Sequence, residues 1–166
     1  MYRTIDDFIS DYRIESGNTL KILHHIDPAK KHLKINDNIR SMERLSWHII
    51  QAASEMMFRS GLQESDDLEW KPIPDKLGDI ENTYQHLTEK LLSMVKSRWT
   101  DSVLAEKIEM FGESWSKGSL LRSLITHEIH HRAQMTVVMR YFGSLVPGLY
   151  GPAREEWANY KMPAME

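Results

Sequence analysis

Three histidines crowd into five positions late in the chain, in the run Thr126-His127-Glu128-Ile129-His130-His131-Arg132-Ala133-Gln134. His127 and His131 are four residues apart, so on a helix they stand one above the other on the same face. Two imidazoles placed this way can reach one metal ion. The run also reads as H-E-x-x-H, the zinc-peptidase pattern, with Glu128 in the position of the general base. Glu128 points about 100° away from His127 on a helix, so it either orients a ligand ring or sits on the surface. His130 lies one step off the pair. Glu128, His130 and Gln134 are candidates for orienting a ligand or handling protons.

The elements that must position these groups are helical. Thr4-Ile5-Asp6-Asp7 opens a first helix over about 5–26, with Thr4 as N-cap and acids in the first turn. Asp27-Pro28 stops it, and His24 and His25 in its last turn suit the helix dipole. After a polar, lysine-rich loop, Ser41 caps a second helix over about 42–60, closed by Gly61. Its stripe of Leu45, His48, Ile49, Ala52, Ala53 and Met56 holds a titratable ring among apolar side chains. A loop containing Pro72 and Pro74 leads to a third helix over about 76–98, with Leu77, Ile80, Tyr84, Leu87, Leu91, Met94 and Val95 as its stripe. Residues 100–116 are mixed and suit either a short strand pair or an irregular connection. The fourth helix runs from about Gly118-Ser119 to Phe142, with Gly143 after it. Leu120, Leu124, His127, His131, Gln134 or Met135, and Val138 follow at steps of three and four, so the histidine pair faces inward. A turn-rich tail and a short amphipathic run, Glu155 to Tyr160, complete an all-α, four-helix-bundle domain over residues 1–166.

Composition narrows the classes. The chain has 166 residues, large enough for one domain with a real core. It has no cysteine, which removes disulfides, thiolate ligands and a cysteine nucleophile, and fits a reducing compartment. A net charge of −3 argues against a general nucleic-acid binder. No apolar run of 18 residues or more suggests a membrane span, and the N-terminus does not read as a signal peptide. The expected setting is the cytoplasm, with a small-molecule substrate as partner.

Burying the stripes against one another brings His48 into a shared core with His127 and His131. Three unpartnered imidazoles there would cost about 1–3 kcal/mol each. A divalent cation removes that cost, and three neutral nitrogens with open positions describe a catalytic site more than a closed structural one. Zinc is the first expectation, with nickel, iron or manganese as alternatives. The peptidase reading fares worse. The extended pattern H-E-x-x-H-x-x-G-x-x-H is broken at Gln134 and Val137, and no convincing strand precedes the fourth helix to hold a peptide. Trp47, Tyr84 and Trp115 are the expected walls of a pocket open to the metal.

With these residues located, the chain resembles the DinB-like (DinB/YfiT-type) metalloenzyme superfamily. The resemblance rests on Ser46-Trp47-His48-Ile49, on His127 through Gln134, and on Val146-Pro147-Gly148-Leu149-Tyr150-Gly151-Pro152. It covers essentially the whole chain in helix order, with Ala133 where the family usually has glycine. It implies an up-down-down-up bundle and one divalent metal on a histidine triad, which maps onto His48, His127 and His131. It also implies a homodimer, and relatives that include thiol-dependent S-transferases and a mycothiol-dependent isomerase. The function expected is therefore a metal-dependent enzyme activating a thiol or water. With no cysteine in the chain, any thiol is a low-molecular-weight one from outside. The alternative is a bundle that binds a metal and a ligand without turning the ligand over.

Overall fold

The computed structural model describes residues 1–164. Four long helices carry it: α1 (Ile5–His24), α2 (Met42–Arg59), α3 (Leu77–Arg98) and α4 (Lys117–Tyr141). Side-chain caps start three of them. Thr4 Oγ1 accepts from the Asp7 amide at 3.2 Å, Ser41 Oγ from Arg44 at 3.4 Å and Ser116 Oγ from Ser119 at 3.1 Å, each satisfying an otherwise orphaned first-turn N–H. Glycines in the left-handed region follow α2 and α4, at Gly61 (φ 72°) and Gly143 (φ 69°), where a side chain would be strained.

The direction of each helix can be read from long-range bonds. Tyr2 donates its amide to Gly118 O at 3.2 Å, and Thr19 donates to Glu128 at 2.6 Å. Low numbers of α1 thus meet low numbers of α4, and the two run parallel. The Ile5 amide meets Asp101 just beyond α3, and His24 lies 3.6 Å from Glu81 near its start, so α1 and α3 are antiparallel. The segment after α2 doubles back along that helix: Asp66 accepts from Ser54, Leu68 O from Gln51 and Lys71 O from Trp47. It delivers α3 beside the start of α2, where Lys31 bonds both Asp75 O and Glu43. Hence α2 and α3 are parallel, and the bundle is up-down-down-up. The main helix interfaces are α2–α4, α1–α3, α1–α4 and α2–α3. Helices adjacent in sequence thus lie diagonally opposite in α1/α2 and in α3/α4.

The connection over 100–116 resolves into a 3-10 turn (Asp101–Ala105) and an antiparallel hairpin, β1 (Lys107–Met110) and β2 (Glu113–Ser116), with Met110 opposite Glu113. Its two-residue loop, Phe111-Gly112, has φ of 53° and 81°, the conformation a tight hairpin with right-handed twist requires. Of the two alternatives for this segment the strand pair is the one found, and a strand does precede α4, where the case against a peptidase expected none. Eight alternating residues with only Ile108, Met110 and Trp115 to pack give too weak a signal to be read from sequence. A second 3-10 turn, Arg154–Tyr160, occupies the expected amphipathic tail. The core is continuous across all four helices, with Phe8, Ile22, Leu45, Ile50, Ile80, Val95 and Met135 almost fully buried. Among the described residues, no helix is long and apolar enough to cross a membrane.

Candidate metal centre

Antiparallel packing of α2 on α4 brings His48 against the histidine pair. The His48 ring centroid lies 5.1 Å from that of His127 and 4.5 Å from that of His131, and the pair are 4.4 Å apart. One nitrogen of each ring lies within 4.8 Å of the others, and among the described residues no carboxylate joins the group. His131 is buried and the other two are half-buried.

Burial first, and the neighbouring positive groups second, favour the neutral rings. His48 is lowered to about 3, by desolvation and then by the charges of Arg40, His131, His127 and Arg44. His127 is lowered to about 4, by desolvation, His131, His130 and Arg40. His131 is lowered mainly by desolvation, opposed by its bond to Gln134. Neutral imidazole is the form that ligates a metal.

The hydrogen bonds also aim the lone pairs. His131 Nδ1 lies 2.8 Å from Gln134 Oε1, and Gln134 Nε2 lies 3.2 Å from His130 Nε2. The amide oxygen can only accept, so His131 carries its proton on Nδ1 and its Nε2 is a bare lone pair. That Nε2 is 3.1 Å from His127 Nε2. Tetrahedral zinc with bonds of about 2.0–2.1 Å holds two nitrogens roughly 3.3 Å apart. The pair thus fits an ion with little movement, once His127 presents Nε2 unprotonated.

The triad lies between two clefts. One, of about 550 Å³, is lined by His48, His127 and His130 together with Met56, Phe111 and Trp115 from α2 and the hairpin. The other, of about 520 Å³, is lined by His131 and Gln134 with Ile35, Ile39, Arg40, Leu45 and Val138. Both are the size of small-molecule sites. A third cleft of about 510 Å³, between α3 and the segment returning along α2, includes none of the three histidines.

Trp115 stands in the wall of the first cleft, but Trp47 and Tyr84 do not line either one. Trp47 is buried and spends its indole N–H on Lys71 O at 3.0 Å, holding the returning segment against α2. The Tyr84 hydroxyl donates to Glu128 Oε1 at 2.5 Å in the core.

Glu128 is placed differently from either expectation, orienting group or surface residue. It is 2 % exposed, and its Oε1 accepts from Thr19 Oγ1 as well as Tyr84. Burial raises its pKa, while those two bonds and Arg132 pull the other way. Arg132, 1 % exposed, donates to Thr19 Oγ1 at 3.0 Å, to Glu15 O at 2.8 Å and to the Glu15 carboxylate, and it also bonds Tyr150. Thus α4 buries two faces. His127 and His131 look towards α2, and Glu128 and Arg132 look towards α1 and α3. Glu128 therefore does not share the histidines' cleft, as a peptidase base would have to. Sequence reasoning missed Arg132 and its partners. The available signal was the opposite-charge spacing of Glu128 and Arg132, four residues apart.

The comparisons with known proteins agree with this architecture. The DinB family model matches residues 1–165. YrdA, an uncharacterised protein of Bacillus subtilis strain 168, is 34 % identical over 164 residues, 99 % of this chain and 98 % of that one. The crystal structure of a DinB-like protein from Bacillus cereus ATCC 10987 superposes with a TM-score of 0.80 at 30 % identity, covering 90 % of this chain and 100 % of the other. A DinB-like protein from Bacillus subtilis, YjoA, gives 0.70 at 19 % identity, over 89 % and 99 %, a likeness of fold alone.

Proposed function

Because the chain belongs to the DinB family, we propose that His48, His127 and His131 bind one divalent metal ion and that the protein is an enzyme using it to activate a thiol or water. The observation that carries the reading is the convergence of three neutral ring nitrogens within 4.8 Å, between two clefts. Three imidazoles suit zinc first, with nickel, iron or manganese also compatible. A bound divalent cation deprotonates a coordinated thiol, or brings the pKa of coordinated water to about 7.

The chain's own residues supply the rest. Gln134 holds the His131 ring in the tautomer that leaves Nε2 free, as such ring partners commonly do. His130, on the cleft side and bonded to the same amide, is the group best placed to take or return a proton. Phe111 and Trp115 wall the cleft on the hairpin side. The thiol, if one is used, is a low-molecular-weight cosubstrate, since the chain has no cysteine. The working form is a homodimer in the cytoplasm.

Elemental analysis of untagged protein tests the metal. About one ion per chain is expected, and less than about 0.1, with no thermal shift on adding Zn²⁺ or Ni²⁺, overturns the reading. Thiol-dependent turnover by the loaded protein, lost in His48→Ala, separates an enzyme from a bundle that only binds.

A further inference from the structure

The cleft on the His131 side carries a charge that its own lining does not balance. Of its nine described lining residues, Ile35, Ile39, Leu45, Val137 and Val138 are apolar, Asn38 and Gln134 are amides, and His131 is an imidazole. Among the described residues Arg40 is the one lysine, arginine or acid in that lining. Its guanidinium forms no ion pair or side-chain hydrogen bond among the described residues, whereas nearby Arg44 bonds Gln51 Oε1 at 3.1 Å, and Lys31 pairs with Glu43 at 3.0 Å. Arg40 also stands immediately before Ser41, the N-cap of α2, where the helix dipole adds positive potential. Arg40 is exposed at the rim of an apolar cleft, an arrangement that recognises an anionic head on an apolar body: the planar fork matches a carboxylate or a phosphate, and one guanidinium balances the single charge of a carboxylate.

We infer that Arg40 is the anion-binding residue of this cleft and that the ligand is an organic carboxylate whose apolar body lies on Ile39, Leu45 and Val138. The carboxylate sits at Arg40, and the opposite, reacting end lies towards His131 and Gln134. This deepens the metal-enzyme reading by naming its substrate class, and only the place of the reacting end rests on that reading.

The test is calorimetric titration with hexanoate, hexan-1-ol and inorganic phosphate. It uses wild-type protein, Arg40→Met and Lys34→Met, each both zinc-loaded and stripped of metal and then dialysed free of chelator. Lys34 is exposed and lines no part of the cleft, so it controls for loss of a surface charge. Wild type is expected to bind hexanoate at least about tenfold more tightly than hexan-1-ol or phosphate, and Arg40→Met to weaken hexanoate about tenfold. Lys34→Met should stay within about twofold. Equal binding of hexanoate by Arg40→Met, or phosphate binding as tightly as hexanoate, overturns the assignment. If the protein takes no zinc but Arg40 still governs hexanoate binding, the metal reading falls and the carboxylate site stands. If zinc binds and hexanoate does not, the reverse holds.

Discussion

Replacing Glu128 separates the two meanings that H-E-x-x-H can have. In a peptidase the glutamate works beside the metal, and its loss removes chemistry while leaving the fold intact. Here its Oε1 receives the hydroxyls of Thr19 and Tyr84 at 2.6 and 2.5 Å, and both donors are almost fully buried. Glu128→Ala strands both donors, neither within reach of bulk water. At about 1–3 kcal/mol for each unsatisfied buried group, the loss from the two is about 2–6 kcal/mol. That is a large share of a typical domain stability of about 5–15 kcal/mol. Arg132 keeps Glu15, so no buried cation is left alone. Glu128→Gln retains an acceptor for both hydroxyls. Burial already opposes the charge on this carboxyl, so the amide should cost only about 1 kcal/mol. Urea unfolding of the metal-free protein at low temperature reads both numbers, and metal stoichiometry of the folded variants should equal that of wild type. An alanine variant within about 0.5 kcal/mol of wild type refutes the buried-network reasoning. So does a glutamine variant that stays stable yet no longer binds metal.

Two further outcomes follow from the same geometry. His48 and His127 titrate in the folded protein at about 3 and about 4, below the ordinary 6.5, so the unfolded chain takes up their protons first. Metal-free stability should therefore be fully present above pH 6.5 and fall as the pH drops towards 4, by at most about 2 kcal/mol per ring at pH 5, roughly halved for solvent screening of half-buried groups. Urea midpoints at pH 7, 6 and 5 check this, and His48→Phe should flatten the slope. At Gly118 an added Cβ would sit 2.3 Å from Tyr2 O and 3.2 Å from Leu104 O. Alanine normally gains about 1 kcal/mol over glycine inside a helix, but here the backbone clash should win, leaving Gly118→Ala destabilised by about 1–3 kcal/mol in thermal or urea melts.

What could be read in advance divides along physical lines. The inward face of α4 was legible because Leu120, Leu124, His127, His131 and Val138 keep a helical step, and a polar ring on such a stripe stands out. His48 was legible for the same reason on α2. Glu128 was not, because a charged residue off the main stripe is solvent-facing by default. Only the tertiary arrangement, with α1 and α3 covering that flank, shows that α4 has a second buried face. The roles expected of Trp47 and Tyr84 failed on direction. Each lies on a helix of the bundle, but the indole turns to the segment returning along α2, and the phenol turns to Glu128. Arg40 gave no periodic signal at all, since it belongs to the loop before Ser41.

The diagonal placement of α1 opposite α2, and of α3 opposite α4, bears on how the chain reaches this state. In a simple antiparallel bundle each helix can zip onto the one just made, and loop closure costs little. Here neither of those successive pairs can collapse as a helical hairpin. The α1–α4 interface joins Thr19 to Glu128, 109 residues apart, and must wait for α2, α3 and the hairpin to be made. Non-local pairing of this kind slows folding relative to local bundles of equal stability. During synthesis α1 would emerge long before α4, and its apolar stripe would stay uncovered on the α4 side until α4 had been made.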